Sequence, residues 1–124
     1  MNKLLTYLTN QLTQFTENVG FRRVSEDTYF PYVTYKYTSS NPLTEGDIED
    51  VIFEIDIWHQ DIEGIDAVTE IEVLTRNIEN HLKKNRHCGE GVFYLFQLIG
   101  KLNIEDEDFT LHRRQLRFRV RHYY

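Results

Sequence analysis

Cys88 is the only cysteine in the chain, so no disulfide can form within it and a cysteine-based zinc site of the usual kind is excluded in a single chain. A small buried or idle thiol is the expected state of such a residue. Long apolar runs are missing as well. Nowhere do 18 apolar residues stand together, and Met1 to Tyr7 lacks the uninterrupted apolar stretch of a signal peptide, so a soluble intracellular protein is expected, with no membrane partner. There is no glycine-rich phosphate loop, because Gly89-Glu90-Gly91 lacks the rest of either nucleotide-binding pattern; Gly89 is expected to end a helix instead. No repeat and no low-complexity segment occurs. Cations are absent from the middle of the chain. No Lys or Arg lies between Lys36 and Arg76, while eleven carboxylates fall between Glu45 and Glu72.

What is present fits one compact domain over residues 1–124, with 40% hydrophobic residues, eight Phe and eight Tyr to build a single core. Net charge is -6, yet the C-terminal run reverses the acidity, with Arg113, Arg114, Arg117, Arg119 and Arg121 and no acid among them. Leu116, Phe118 and Val120 alternate with Arg117, Arg119 and Arg121, which on a strand puts an apolar row on the core side and a guanidinium row on the other. That row meets solvent, nucleic acid, or a carboxylate row on a neighbouring strand or subunit. An acidic protein with one basic strand is a weak nucleic-acid candidate, and pairing within or between subunits suits the segregation better.

Leu4, Leu8, Leu12, Phe15 and Val19 mark one face of an amphipathic helix over about residues 2–18, stopped by Gly20. Residues 29–38 are aromatic and β-branched and predict a strand, with Pro31 at its start or on a sheet edge. Residues 39–49 have turn chemistry and predict an exposed loop. In the next strand Val51, Phe53, Ile55 and Ile57 share one face, and Ile52, Glu54, Asp56 and Trp58 the other. Asp66 is a candidate cap for a second helix whose face is Val68, Ile71, Leu74, Thr75, Ile78 and Leu82, with Lys83, Lys84 and Arg86 near its negative pole. Residues 92–99 are almost continuously apolar, which predicts a strand covered on both faces and central in the sheet. An acidic turn at Glu105-Asp106-Glu107-Asp108 leads into the arginine strand. The fold class is therefore α+β, in the order helix-strand-strand-helix-strand-strand, with one mainly antiparallel sheet and two helices packed on one face.

No arrangement points to catalysis, and no enzyme, cofactor or metal is expected. Asp56, His59 and Asp61 crowd together, but strand alternation and the strand end already explain them. His81, His87 and Cys88 match no zinc spacing. A ligand-binding α+β domain would need converging polar groups, and none is evident. The aromatic residues favour packing over base stacking, since Lys36 is the one cation among residues 29–38. Trp58 lies opposite the core face and is either an interface anchor or packed over its own sheet. Glu54 and Asp56 are expected to face Arg117 and Arg119, and the two rows, with Trp58 and Arg121, are candidates for subunit contacts. The exposed loop, with Asn41, Leu43, Glu45, Asp47 and Glu49, is a candidate docking element because it is long and acidic.

Four blocks, Phe30 to Lys36, Asp50 to Trp58, Glu70 to Ile78 and Arg113 to Tyr124, in this order over about residues 28–124, resemble the tail-terminator proteins of long-tailed bacteriophages. These are also called tail-completion, head-tail joining or minor capsid proteins. The resemblance implies a structural virion subunit that forms a hexameric ring with copies of itself, caps the tail tube and joins it to the head connector or stopper protein. It places the chain in the virion at the head-tail junction, and in the host cytoplasm during assembly, of a phage or a prophage. DNA only passes through such a ring, and an acidic lumen would not retain it. The alternative from a different class is a small nucleic-acid-binding or regulatory module that uses the arginine strand.

Overall fold

The structure is a computed structural model that describes residues 2–24, 29–42, 48–62, 66–89 and 92–123. Among the described residues, the order is α1 (Asn2–Leu12), β1 (Val19–Phe21), β2 (Tyr32–Pro42), β3 (Ile48–Gln60), α2 (Ala67–Lys83), β4 (Arg86–Gly89), β5 (Val92–Ile104) and β6 (Leu111–Tyr123). The strands form one six-stranded sheet in the order β1-β2-β3-β6-β5-β4. The α+β class holds. The order differs from expectation by the two short strands β1 and β4, and the sheet is mixed, since β1 runs parallel to β2 and the other neighbours are antiparallel.

One face of this sheet makes the core. Val51, Phe53, Ile55 and Ile57 of β3 and Leu116, Phe118 and Val120 of β6 are fully buried in it, with Val33 and Tyr35 of β2 and Tyr94 and Phe96 of β5. Both helices cover that face, α1 through Leu4, Leu8 and Leu12 and α2 through Ile71, Ile78 and Leu82. The alternation of the sequence is thus the alternation of the sheet, and removing this apolar area from water is the main driving force for the fold.

Several boundaries moved. α1 ends at Leu12 rather than near residue 18, because Thr16 leaves the helical ladder to donate to the Pro31 carbonyl at 3.2 Å and to accept from the Asn18 N–H at 3.2 Å. Phe15 and Val19 still pack against the core, so the apolar period outlasts the helix. Gly20 does not stop a helix but lies in β1, where a Cβ would sit 2.2 Å from the Arg23 carbonyl oxygen. Pro31 directly precedes β2, as a residue without a donor should. β2 runs on to Pro42 and β3 starts at Ile48, so the predicted loop over 39–49 is short. The backbone of Asn41 and Glu49 belongs to strands, paired respectively with Asp50 and with Pro42 and His122. Leu43, Glu45 and Asp47 lie outside the described residues.

α2 begins where Asp66 predicted, with the Asp66 carboxylate accepting from the Val68 N–H at 3.1 Å and the Asp61 carboxylate from the Ala67 N–H at 3.0 Å. Asp66→Ala is expected to lower stability by about 1 kcal/mol, seen as a lower melting temperature, whereas Asp66→Asn should leave it close to unchanged. On the helix face, Val68 is exposed and Ala67 is buried in its place, because Ala67 stands four residues before Ile71 and continues the stripe of Ile71, Ile78 and Leu82. Its end is closed by the Asn85 N–H on the Leu82 carbonyl at 2.9 Å, while Gly89 sits in β4 opposite Val92. β5 is not central. β6 folds back between it and β3, leaving β5 second from the edge, with Leu95 half-buried and Ile99 and Leu102 exposed on its outward side.

Candidate functional site

The face of the sheet turned away from the helices carries the candidate residues. Strand parity puts Asp50, Ile52, Glu54, Asp56 and Trp58 of β3 beside Arg121, Arg119, Arg117, Gln115 and Arg113 of β6 in antiparallel register. β2 adds Tyr32, Thr34 and Lys36, opposite Trp58, Asp56 and Glu54. The two charged rows therefore meet inside one chain.

Each outward-facing carboxylate of β3, Asp50, Glu54 and Asp56, has a cation. Arg121 grips Asp50 with two parallel bonds, Nε to Oδ1 at 2.9 Å and Nη2 to Oδ2 at 3.3 Å, the geometry that gives Arg its planar specificity for carboxylates. Glu54 lies between Arg117 at 3.4 Å and Lys36 at 3.7 Å. Asp56 is buried, and it accepts from Arg113 Nε at 3.0 Å and Gln115 Nε2 at 3.0 Å. Gln115 in turn accepts from Arg117 Nε at 3.3 Å, which joins two pairs into one network. Glu54 faces Arg117 as expected. Asp56 does not face Arg119: the register sets Gln115 opposite Asp56, and Arg119 opposite Ile52 and Gln97. Arg119 is exposed and has no acceptor among the described residues.

Trp58 is held by its own sheet. Its indole N–H donates to Thr34 Oγ1 at 3.2 Å, its ring stacks on Tyr32 with centroids 5.8 Å apart and planes 24° apart, and the Arg113 guanidinium carbon lies 4.6 Å from the ring centroid. Packing and a cation over the ring thus fix the side chain on both sides. Burial raises the Tyr32 hydroxyl pKa above its ordinary 10.0, partly offset by Arg113. Tyr32, Thr34, Lys36, Arg113 and Gln115 were not among the candidates read from the sequence. Parity was the signal for Arg113 and Gln115, at even steps from Arg117, whereas Tyr32, Thr34 and Lys36 are placed on this face by the register of β2 on β3.

The other polar clusters separate. Asp56 is on the outward face, whereas His59 points to the core side, so no Asp-His acid-base pair forms between them. His59 Nδ1 accepts from the Gln60 N–H at 2.9 Å, which leaves the proton on Nε2 to donate to Glu70 at 2.6 Å. A groove of about 400 Å³ beside this pair is lined by Phe15, Pro31, Val73 and Leu74. Its titratable groups, His59 and Glu70, are already bonded to each other. His81, His87 and Cys88 are not brought together either. His81 contacts Gln11 Oε1 at 2.7 Å, His87 packs its ring on Tyr7 at 4.6 Å, and Cys88 is exposed rather than buried.

Asp61 and Asp108 tie the same end of the sheet. A hydrogen bond from His112, and then the Ala67 N–H, hold the Asp61 carboxyl below its ordinary 3.8. The Thr110 hydroxyl and N–H do the same for Asp108. Because the folded values are depressed, their stabilisation is complete above the unfolded value and is lost as pH falls below about 3.8 through the folded values. Urea midpoints at about pH 5 and about pH 2.5 should therefore differ, and Asp61→Asn should narrow the difference.

Neither a protein-family model nor a curated protein sequence matches this chain. A solved structure does. A chain in the virion of a native gene transfer agent particle superposes with a TM-score of 0.65, at 14% sequence identity, over 91% of this chain and 84% of that chain. The two share a fold. The correspondence covers nearly the whole chain.

Proposed function

We propose that the chain is a structural virion protein that caps a phage tail tube as a ring-forming subunit and joins it to the head connector. The observation that carries this reading is the fold shared with a chain of a virion particle. The sequence blocks that resemble tail terminators support its finer part. They lie in β2, β3, α2 and β6, which are contiguous in space, so the resemblance covers the central sheet and the helix packed on it. The partners are further copies of this chain, the tail-tube protein and a connector or stopper protein, at the head-tail junction. DNA passes through the ring and is not held.

The charged face also weighs against the nucleic-acid reading. Arg113, Arg117 and Arg121 are engaged by Asp56, Glu54 and Asp50, so phosphate would have to displace carboxylates already in place, and the chain as a whole carries -6. Sedimentation mass of the protein alone and mixed with a tail-tube preparation tests the proposal. A ring bound at tube ends, with tube growth arrested, is the expected result, and a free subunit that stays monomeric is compatible with it because weak contacts form on a template. Tubes that bind no protein and continue to lengthen would overturn it.

A further inference from the structure

The turn between β5 and β6 carries the most exposed aromatic side chain among the described residues, Phe109 at 91% exposure. Glu105, Asp106, Glu107 and Asp108 precede it, and no Lys or Arg occurs from Glu105 to Thr110. The turn is built to hold this shape. Asp106 accepts from the Asp108 N–H at 3.0 Å, and Asp108 accepts from the Thr110 N–H at 2.9 Å and its hydroxyl at 2.6 Å. The hairpin tip is thus an ordered knob with one large apolar ring and four anionic groups. Its complement would be an apolar floor ringed by cations.

The outward face of the sheet is such a surface. On it Lys36, Arg86, Arg113, Arg117, Arg119 and Arg121 stand against Asp50, Glu54 and Asp56, six cations to three anions among the described residues, in a chain that is acidic overall. The anions lie deeper: the side chains of Asp50, Glu54 and Asp56 are 16%, 15% and 6% exposed, against 42% for Arg121 and 45% for Arg117. At the centre of the row Arg119 has no acceptor among the described residues, and the half-buried Ile52 and Leu95 provide apolar surface beside it.

We propose that the Phe109 tip of one copy seats on the Arg119 region of the outward face of the next copy. The tip cannot reach the Arg119 of its own chain, since β6 carries that residue away from the turn by about 3.3 Å per residue. The two surfaces differ, so the contact is head-to-tail, the kind that closes into a ring when the rotation permits. This inference rests on the ring reading for its occupant and supplies the contact that the reading lacks. It also assigns a role to Arg119, the arginine of the row without an acceptor among the described residues.

The full chain carrying Phe109→p-benzoylphenylalanine, irradiated with tail-tube preparation and at high protein concentration, tests the contact. A copy-to-copy adduct is expected, with the link in residues 48–60, 92–104 or 111–123. A ring of unchanged mass whose adduct maps to the helices or to another protein would overturn the contact and leave the ring standing. Absence of any oligomer would overturn both. In parallel, Glu107→Arg or Arg119→Glu alone should weaken self-association by about tenfold and the pair together should restore it to within about threefold, with melting of the monomer unchanged. Unaltered association in both single variants would overturn the proposal. So would duplex DNA binding at low salt that Arg119→Glu abolishes, because the face would then belong to phosphate.

Discussion

Phe118→Ala is expected to lower the free energy of unfolding by about 3–5 kcal/mol, a large part of the roughly 5–15 kcal/mol that holds a domain together. Phe118 is fully buried on the core face of β6, directly opposite the equally buried Phe53 of β3. Its ring also meets Phe96 of β5 edge-on, with centroids 6.4 Å apart and planes 78° apart. β3 and β6 are the two central strands, so both neighbours of Phe118 are fixed in the ladder and cannot close over the space left by the ring. A guanidinium titration reads the effect as a lower midpoint with the slope preserved. Phe109→Ala is the control, because a side chain exposed to this degree should change stability by no more than about 0.5 kcal/mol. A loss under about 1 kcal/mol for Phe118→Ala would mean that the centre of the sheet is not packed as described.

Asp56→Ala is expected to cost about 2–4 kcal/mol in the monomer, although the residue lies on the face turned away from the core. Its side chain is 6% exposed, and the carboxylate accepts from Arg113 and Gln115. Removing it leaves a guanidinium and an amide without their acceptor in a crowded layer under Trp58, and Arg113 is 26% exposed, so solvent recovers only part of the loss. Exposed cross-strand pairs behave differently. Breaking Glu54 from Arg117 should cost only about 0.2–1 kcal/mol, since that arginine is 45% exposed. A double-mutant cycle on Asp56 and Arg113, read by urea unfolding at a concentration where the protein is monomeric, isolates the pair. If Asp56→Ala left the monomer unchanged, the carboxylate row would belong to contacts between copies and not to the sheet.

This distinction changes how the two charged rows are understood. Complementary rows in a sequence are equally consistent with pairing inside a sheet and across an interface. Here the register of β3 on β6 brings Asp50 to Arg121 and Glu54 to Arg117, which uses most of the row internally. The offset of Asp56 from Arg119 follows from the same register. What stays exposed is a basic surface with Arg119 at its centre and, elsewhere on the chain, an acidic tip with Phe109.

Much of the fold was legible because period and burial coincide. The period-two runs at Val51 to Ile57 and Leu116 to Val120 became the core face of the central strands, and Leu4, Leu8 and Leu12 the buried stripe of α1. Asp66 marked the start of α2 because the cap chemistry is local. β1 and β4 were not legible: strands of three and four residues have no period to read, and they exist only because longer neighbours present unpaired edges. The position of β5 was misread for a related reason. A continuous apolar run, Val92 to Ile99, predicts cover on both faces, but among the described residues both helices pack on the core face and the outward side of β5 is left uncovered by a helix.

By itself the sequence determined the α+β class, the single core and the two-faced character of the arginine strand, because side-chain alternation and helical spacing are properties of neighbours along the chain. It also determined that anions and cations would be segregated. Only the tertiary structure decided which charges meet, since register is a relation between strands distant in sequence and a shift of one residue would turn each row to the opposite face. That register pairs Arg113, Arg117 and Arg121 with carboxylates of their own chain, leaves Arg119 exposed, and sets Phe109 at the hairpin tip.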